Sequence, residues 1–264
     1  MRDAPWKGLT ALVTGASSGL GADFARHLAA DGAGLILTAR RADALEALAA
    51  DLRGRNGVPV AVVPLDLAAP GAPAALVAEL GRRGLEVDVL INNAGFGLYG
   101  EFLEIDPVRE REMMILDVLV PLELTRSLGG AMIRRGRGFI LQVSSIGGYQ
   151  PTPLYAVYSA AKAFILSFGE AVAYEWRRRG VTVSVLCPGV TATSFLAVAG
   201  QAATAYQRAV MMDSPTVTRA GLDALARGTP SVLPGVLNKL TVFSSRFAPR
   251  RWLPAVAHRL MRAS

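Results

Sequence analysis

Tyr158 and Lys162 stand four residues apart in Tyr158-Ser159-Ala160-Ala161-Lys162, within a stretch of helical character. At that spacing a phenol and an ammonium share one face of a helix. The ammonium would favour the phenolate and lower the phenol from its ordinary value of about 10, poising it to protonate a developing alkoxide. By themselves a Tyr and a Lys so spaced point first to a solvated surface pair. Thirteen residues before Tyr158, however, a strand-like run ends in Ser144-Ser145, where a hydroxyl is suited to polarising a carbonyl. Ser145 is the expected contact, with Ser144 one register off.

Two further motifs are rich in small residues. Thr14-Gly15-Ala16-Ser17-Ser18-Gly19-Leu20-Gly21 follows the first strand-like run and opens a helical one. Glycines at such a turn let the backbone approach a diphosphate, whose charge is favoured at a helix N-terminus. A glycine trio alone also fits an ordinary tight turn. Asn92-Asn93-Ala94-Gly95 closes the fourth strand-like run, leaving room for a ligand at the sheet edge, although Asn and Gly are also common turn residues.

The elements that must position these residues alternate. Runs apolar on both faces occur at 10–14, 34–38, 59–64, 87–91, 138–143 and 181–187, and helical patterns near 20–31, 41–53, 72–83, 107–135 and 155–179. Strands covered on both sides by helices predict an α/β fold with a Rossmann-type doubly wound parallel sheet.

In this order the glycine turn, the Asn-Asn-Ala-Gly motif, the Ser145–Tyr158–Lys162 set and Pro188-Gly189-x-x-x-Thr193 resemble the short-chain dehydrogenase/reductase family, over roughly residues 7–235. The resemblance implies that Ser145 binds the substrate oxygen, Tyr158 transfers the proton, and Lys162 also holds the nicotinamide ribose. It implies cofactor contacts along Gly15, Ser17, Ser18, Gly19, Leu20 and Gly21, then Asp66 and Leu67 at the adenine. Asn93, Ala94 and Gly95 would lie beside the adenosine ribose, and Pro188, Gly189, Val190 and Thr193 near the carboxamide. The second strand ends Ala39-Arg40-Arg41, without the carboxylate that selects NAD, so Arg40 is expected to receive the 2′-phosphate of NADP(H). Capping of the next helix is the plainer role for Arg40. One departure stands out: Leu119 occupies the place expected for a family Asn that positions a water behind the lysine, and leucine makes no hydrogen bond. Asp117, two residues away, would face the opposite side of the helix.

Of 264 residues, 52% are hydrophobic and 19% charged, which excludes a disordered chain. Cys187 is the single cysteine, and His27 and His258 are far apart, so neither a disulfide scaffold nor a metal site is expected. No run reaches the roughly 18–20 uncharged apolar residues of a membrane span, and the start lacks a secretion signal, so a cytoplasmic protein is expected. The formal charge of +7 falls entirely in residues 224–264, where no acid offsets Arg227, Lys239, Arg246, Arg250, Arg251, Arg259 and Arg262. The neutral remainder argues against nucleic-acid binding. Residues 1–235 are expected to form the NADP-binding catalytic unit, with a substrate lid at about 190–214, and 236–264 a C-terminal basic amphipathic helical extension. The apolar stripe of that extension, with Trp252 and Leu253, is expected to dock on the body or on a second subunit, with peripheral membrane contact as the rival. Phe96, Tyr149, Leu154, Tyr155, Phe195, Leu196, Tyr206, Met211 and Met212 suggest a bulky apolar carbonyl or alcohol as substrate, although many could be ordinary core. The resemblance implies a homo-oligomer, dimer or tetramer. The alternative, kept open by Leu119, is an NADP-binding protein with weak or no turnover; a membrane-surface reductase of lipid-like ketones is the third.

Overall fold

The computed structural model describes residues 5–262. Strands β1 (Thr10–Thr14), β2 (Gly34–Ala39), β3 (Val60–Pro64), β4 (Val89–Asn92), β5 (Gly138–Val143), β6 (Val181–Leu186) and β7 (Ser231–Val232) form one sheet in the order β3-β2-β1-β4-β5-β6-β7. Every pairing is parallel. The six expected strands are present, and the short β7 is an addition at the edge. The connections are α1 (Gly19–Ala30), α2 (Ala42–Asn56), α3 (Ala72–Arg82), α4 (Pro107–Met114), α5 (Val120–Arg135), α6 (Ala156–Trp176), α7 (Phe195–Ala199), α8 (Ala205–Val210) and α9 (Ser214–Ala226). After β7 come α10 (Val236–Ser245) and α11 (Leu253–Met261).

The strands are apolar on both faces because both faces are covered. In β1, Ala11 and Val13 point into a core built with Phe24 and Leu28 of α1, Leu45 and Leu52 of α2, and Val217 and Leu222 of α9. Leu12 points the other way, toward Leu76 of α3, Leu124 and Leu128 of α5 and Val172 of α6. This is the doubly wound Rossmann-type sheet. Its winding reverses between β1 and β4, so the connections at their carboxyl ends diverge and leave a crevice there. Helix α6 is long and apolar enough to cross a bilayer, but it packs on the sheet with Ala161, Ile165, Leu166 and Val172 buried.

Two expectations are corrected. The continuous helix expected over 107–135 is interrupted by a π-helical turn, Ile115–Leu119, between α4 and α5. Pro121 has no N–H for the carbonyl four residues earlier, and the ladder slips so that Val120 N–H bonds the Ile115 carbonyl. In the extension, Trp252 is 57% exposed and Leu253 only partly buried; the docked residue is Ala257, at 2%. Trp252 and Val256 therefore do not dock on the body, whereas Leu253 is partly buried and Leu260 of the same stripe lines the main cleft. The helix turns Ala257, Leu260 and Met261 inward, and Ala257 allows close approach.

Candidate active site

The glycine turn is shaped by close contacts. Gly15 has φ +67°, and a Cβ there would lie 2.9 Å from Ala94 Cα; a Cβ on Gly21 would lie 2.2 Å from the Gly15 carbonyl oxygen. Thr14 Oγ1 accepts from the backbone N–H of Asn93 and of Ala94, each at 3.0 Å. The Asn93 side-chain amide donates to the Thr14 carbonyl at 2.9 Å. The Asn-Asn-Ala-Gly motif thus clamps the glycine turn across the switch between β1 and β4. Asn92 is buried and gives its amide to Thr125 Oγ1 and Gln142 Oε1, both at 3.1 Å, tying α5 to the sheet.

A cleft of about 590 Å³ runs from this turn to Tyr158. Gly15, Ser17, Ser18, Gly19, Leu20, Arg40, Asp66, Leu67, Asn93, Ala94 and Gly95 line it, as do Ser145, Tyr158, Lys162, Pro188, Gly189, Val190 and Thr193. Of the residues expected to act in catalysis or to bind the cofactor, Gly21 alone is not on the wall; its lack of a side chain lets the turn close. Arg40 is joined by Arg41, whose guanidinium donates to the Ser17 carbonyl and Oγ, each at 3.2 Å. Sequence reasoning missed Arg41, although the doubled arginine was visible. Phe96, Tyr155, Phe195, Leu196 and Tyr206 line the cleft, whereas Tyr149, Leu154, Met211 and Met212 do not.

Ser144 and Ser145 divide their tasks. Ser144 is buried and donates to the Lys162 carbonyl at 2.7 Å, fixing α6 to the end of β5. Ser145 faces the cleft, accepts from Gly147 N–H at 3.1 Å and hydrogen-bonds the Tyr158 phenol. Phe195 at the start of α7 packs on Tyr158 with ring centroids 5.3 Å apart, in space left by Gly97, where a Cβ would meet the Phe195 ring at 2.6 Å.

The largest correction concerns the residue behind Lys162. Leu119 is 45% exposed and points away from the site. Asp117, 1% exposed, places Oδ2 3.0 Å from Lys162 Nζ and accepts from Phe96 N–H through Oδ1 at 3.1 Å. A Cβ on Gly95 would lie 2.5 Å from the same Oδ1, so the absence of a side chain there admits the carboxylate. Residues 117 and 119 do face opposite sides, but the inward one is the aspartate, because the π-helical turn sets the phase. Burial raises the Asp117 carboxyl, and Lys162 and Phe96 N–H oppose that shift.

The expected lowering of Tyr158 is also reversed. Its phenol is raised, first by burial and then by the Asp117 charge, against the Ser145 hydrogen bond. Lys162 Nζ lies 5.6 Å from the Tyr158 ring centre, and its charge is answered by Asp117 at 3.0 Å. Burial pushes the Cys187 thiol up to about 12, which leaves it unreactive. No cluster of His, Cys, Asp or Glu fit for a metal occurs among the described residues.

Buried amides that sequence reasoning did not single out join the site to the extension. Tyr155 OH donates to Gln201 Oε1 at 2.7 Å, and Gln207 Nε2 donates to the same oxygen at 2.9 Å. Gln201 Nε2 donates to the Met261 carbonyl at 2.7 Å and Thr204 Oγ1 to that of Leu260 at 3.2 Å. Isolated glutamines around α7 and α8 carry no local signal for such partners.

A sequence profile described as short chain dehydrogenase matches residues 9–203. Dehydrogenase/reductase SDR family member 7B of Bos taurus is 36% identical over 188 residues, covering 69% of this chain and 58% of that protein. The very-long-chain 3-oxoacyl-CoA reductase of Pyrenophora tritici-repentis is 35% identical over 181 residues, covering 67% and 53%. The chain thus spans little more than half the length of these curated relatives. A short-chain dehydrogenase from Sphingobium yanoikuyae, solved in complex with NADPH, superposes with a TM-score of 0.81 at 28% identity, covering 90% of this chain and 93% of that one. A parallel sheet with its glycine turn at the β1/β4 switch, Ser145 beside Tyr158 at the far end of the cleft, and these likenesses agree: the chain belongs to the short-chain dehydrogenase/reductase family of oxidoreductases.

Proposed function

We propose that the protein is an NADP(H)-dependent oxidoreductase that interconverts a carbonyl and an alcohol on a hydrophobic substrate. The observation that carries this is the convergence of Ser145, Tyr158 and Lys162 at one end of a cleft whose other end is the glycine turn with Arg40 and Arg41. The cofactor fits these residues: the turn packs tightly at the start of α1 only because Gly15 and Gly21 carry no Cβ, and a helix N-terminus favours a diphosphate. Arg40 and Arg41 would hold the 2′-phosphate, Asp66 and Leu67 the adenine end, and Lys162 and Thr193 the nicotinamide end. When bound, NADP(H) supplies or takes up the hydride. Ser145 holds the substrate oxygen. Tyr158, kept as a neutral phenol by its raised pKa, gives that oxygen a proton during reduction. Lys162 and Asp117 form a compensated pair that leaves the phenol protonated at neutral pH.

Aromatic and aliphatic side chains around Tyr158 favour an apolar carbonyl, and the similarity to a reductase of very-long-chain 3-oxoacyl substrates supports the same class. The reading of a cofactor binder without turnover rested on Leu119. With Asp117 against Lys162 in its place, that motive disappears. The test is to incubate the protein with NADPH and a panel of aromatic, steroid-like and long-chain ketones and follow nicotinamide absorbance. Tight NADPH binding without consumption across the panel would overturn the catalytic assignment.

A further inference from the structure

The basic extension is not absorbed by the oxidoreductase reading. Of fifteen exposed large apolar side chains among the described residues, seven lie between Val236 and Val256, so apolar exposure is concentrated there. Leu237, Leu240 and Phe243 along the outer side of α10, and Phe247 just beyond its end, are exposed by 57–75%, with the last two rings 5.2 Å apart. Trp252 and Val256 continue the exposed apolar surface at α11, at 57% and 58%. Lys239, Arg246, Arg250, Arg251, Arg259 and Arg262 are exposed around them, and none forms an ion pair among the described residues.

We propose that the outer face of α10 and α11 is a docking surface for an anionic lipid bilayer. Aromatic and aliphatic side chains entering the headgroup boundary, with bases among them to meet lipid phosphates, are what an interfacial helix presents. Helices of ten and nine residues lie along such a boundary, since a span needs about 20. Charge discriminates between occupants. A symmetric pairing of two copies through this face would press bases against bases. Residues 1–223 are balanced overall and the whole +7 lies beyond them, so a second copy offers this basic face no net attraction, whereas an anionic bilayer does. Only the inner sides of these helices touch the protein: Asn238 and Thr241 of α10, and Ala257, Leu260 and Met261 of α11, line the cleft. Docking would therefore set the cleft beside the lipid, so that an apolar carbonyl substrate enters from the bilayer. That use rests on the function proposed above; adsorption to the surface does not.

The test is co-sedimentation of the full chain with vesicles of phosphatidylcholine alone and of phosphatidylcholine mixed with phosphatidylglycerol. The protein is expected to pellet with the anionic vesicles only, to be released by high salt, and to show a blue shift in emission that Trp252→Phe removes. Phe243→Ser/Phe247→Ser should weaken partitioning at least about tenfold, and Arg250→Ala/Arg251→Ala by about tenfold on anionic vesicles alone. Both variants should keep the wild-type melting temperature and NADPH binding, which separates lost docking from lost folding. Wild-type protein that stays in the supernatant with anionic vesicles overturns the proposal. So does a dimer that Phe243→Ser/Phe247→Ser dissociates without any vesicle binding, since a second copy then covers the face. Vesicle binding by a protein that reduces no ketone would leave the docking standing and refute the reaction.

Discussion

At the residue scale, the chemistry turns on the charge that Asp117 places 3.0 Å from Lys162. A lone ammonium would pull the Tyr158 phenol down, and the carboxylate cancels much of that pull. In the proposed reaction, reduction would use the phenol, whereas alcohol oxidation would use the phenolate and should rise with pH through the Tyr158 pKa. Asp117→Asn removes the negative charge, leaves Lys162 uncompensated and lowers that pKa. The alkaline rise of alcohol oxidation should then begin about one pH unit or more lower, in steady-state pH–rate profiles. Unchanged profiles would mean that Asp117 acts only in packing. Tyr158→Phe should cut turnover by about 10²–10⁴ while leaving NADPH affinity, read by fluorescence titration, near wild type. Leu119→Asn, on an exposed site, should leave kcat and its pH dependence unchanged.

At the element scale, the glycine turn and the arginines after β2 act together. A Cβ on Gly21 would lie 2.2 Å from a backbone oxygen that has no rotamer to escape into. Gly21→Ala should cost about 1–3 kcal/mol of stability in thermal or urea melts, and weaken NADPH binding as the turn shifts. Arg40 and Arg41 both line the cleft, and Arg41 already bonds Ser17. Arg40→Ala and Arg41→Ala should each weaken NADPH binding by about 1.5–3 kcal/mol and leave NADH nearly unaffected, in paired titrations. Equal losses for both dinucleotides would remove the 2′-phosphate from these side chains.

At the scale of the whole molecule, the α7–α8 segment, the start of α6 at Tyr155 and the C-terminal extension share one buried set of hydrogen bonds centred on Gln201. Gln201→Ala strips partners from Tyr155 OH, Gln207 and the Met261 carbonyl, leaving buried polar groups unsatisfied. A cost of about 2 kcal/mol corresponds to a melting temperature lower by about 4–8 °C. The loss should be accompanied by a higher KM for apolar ketones, because Leu260 and Met261 line the cleft. A shift in melting temperature with KM unchanged would confine Gln201 to stability.

Much of this protein is legible in its sequence because the relevant signals are local. Strand runs apolar on both faces, the glycine turn directly after β1 and the four-residue spacing of Tyr158 and Lys162 are consequences of short-range geometry. They yielded the sheet, the crevice and one end of the site. Part of what the sequence left undecided was a question of facing. Asp117 or Leu119, Ser144 or Ser145: each pair offers two nearby positions, and only packing selects between them. An α-helix turns about 100° per residue, so the one-residue slip at Ile115–Leu119 is enough to re-aim a side chain. The Gln201 hydrogen bonds join residues 46 and 60 apart in sequence. Such partners have no local signature, because only the folded sheet and its covering helices bring them within reach.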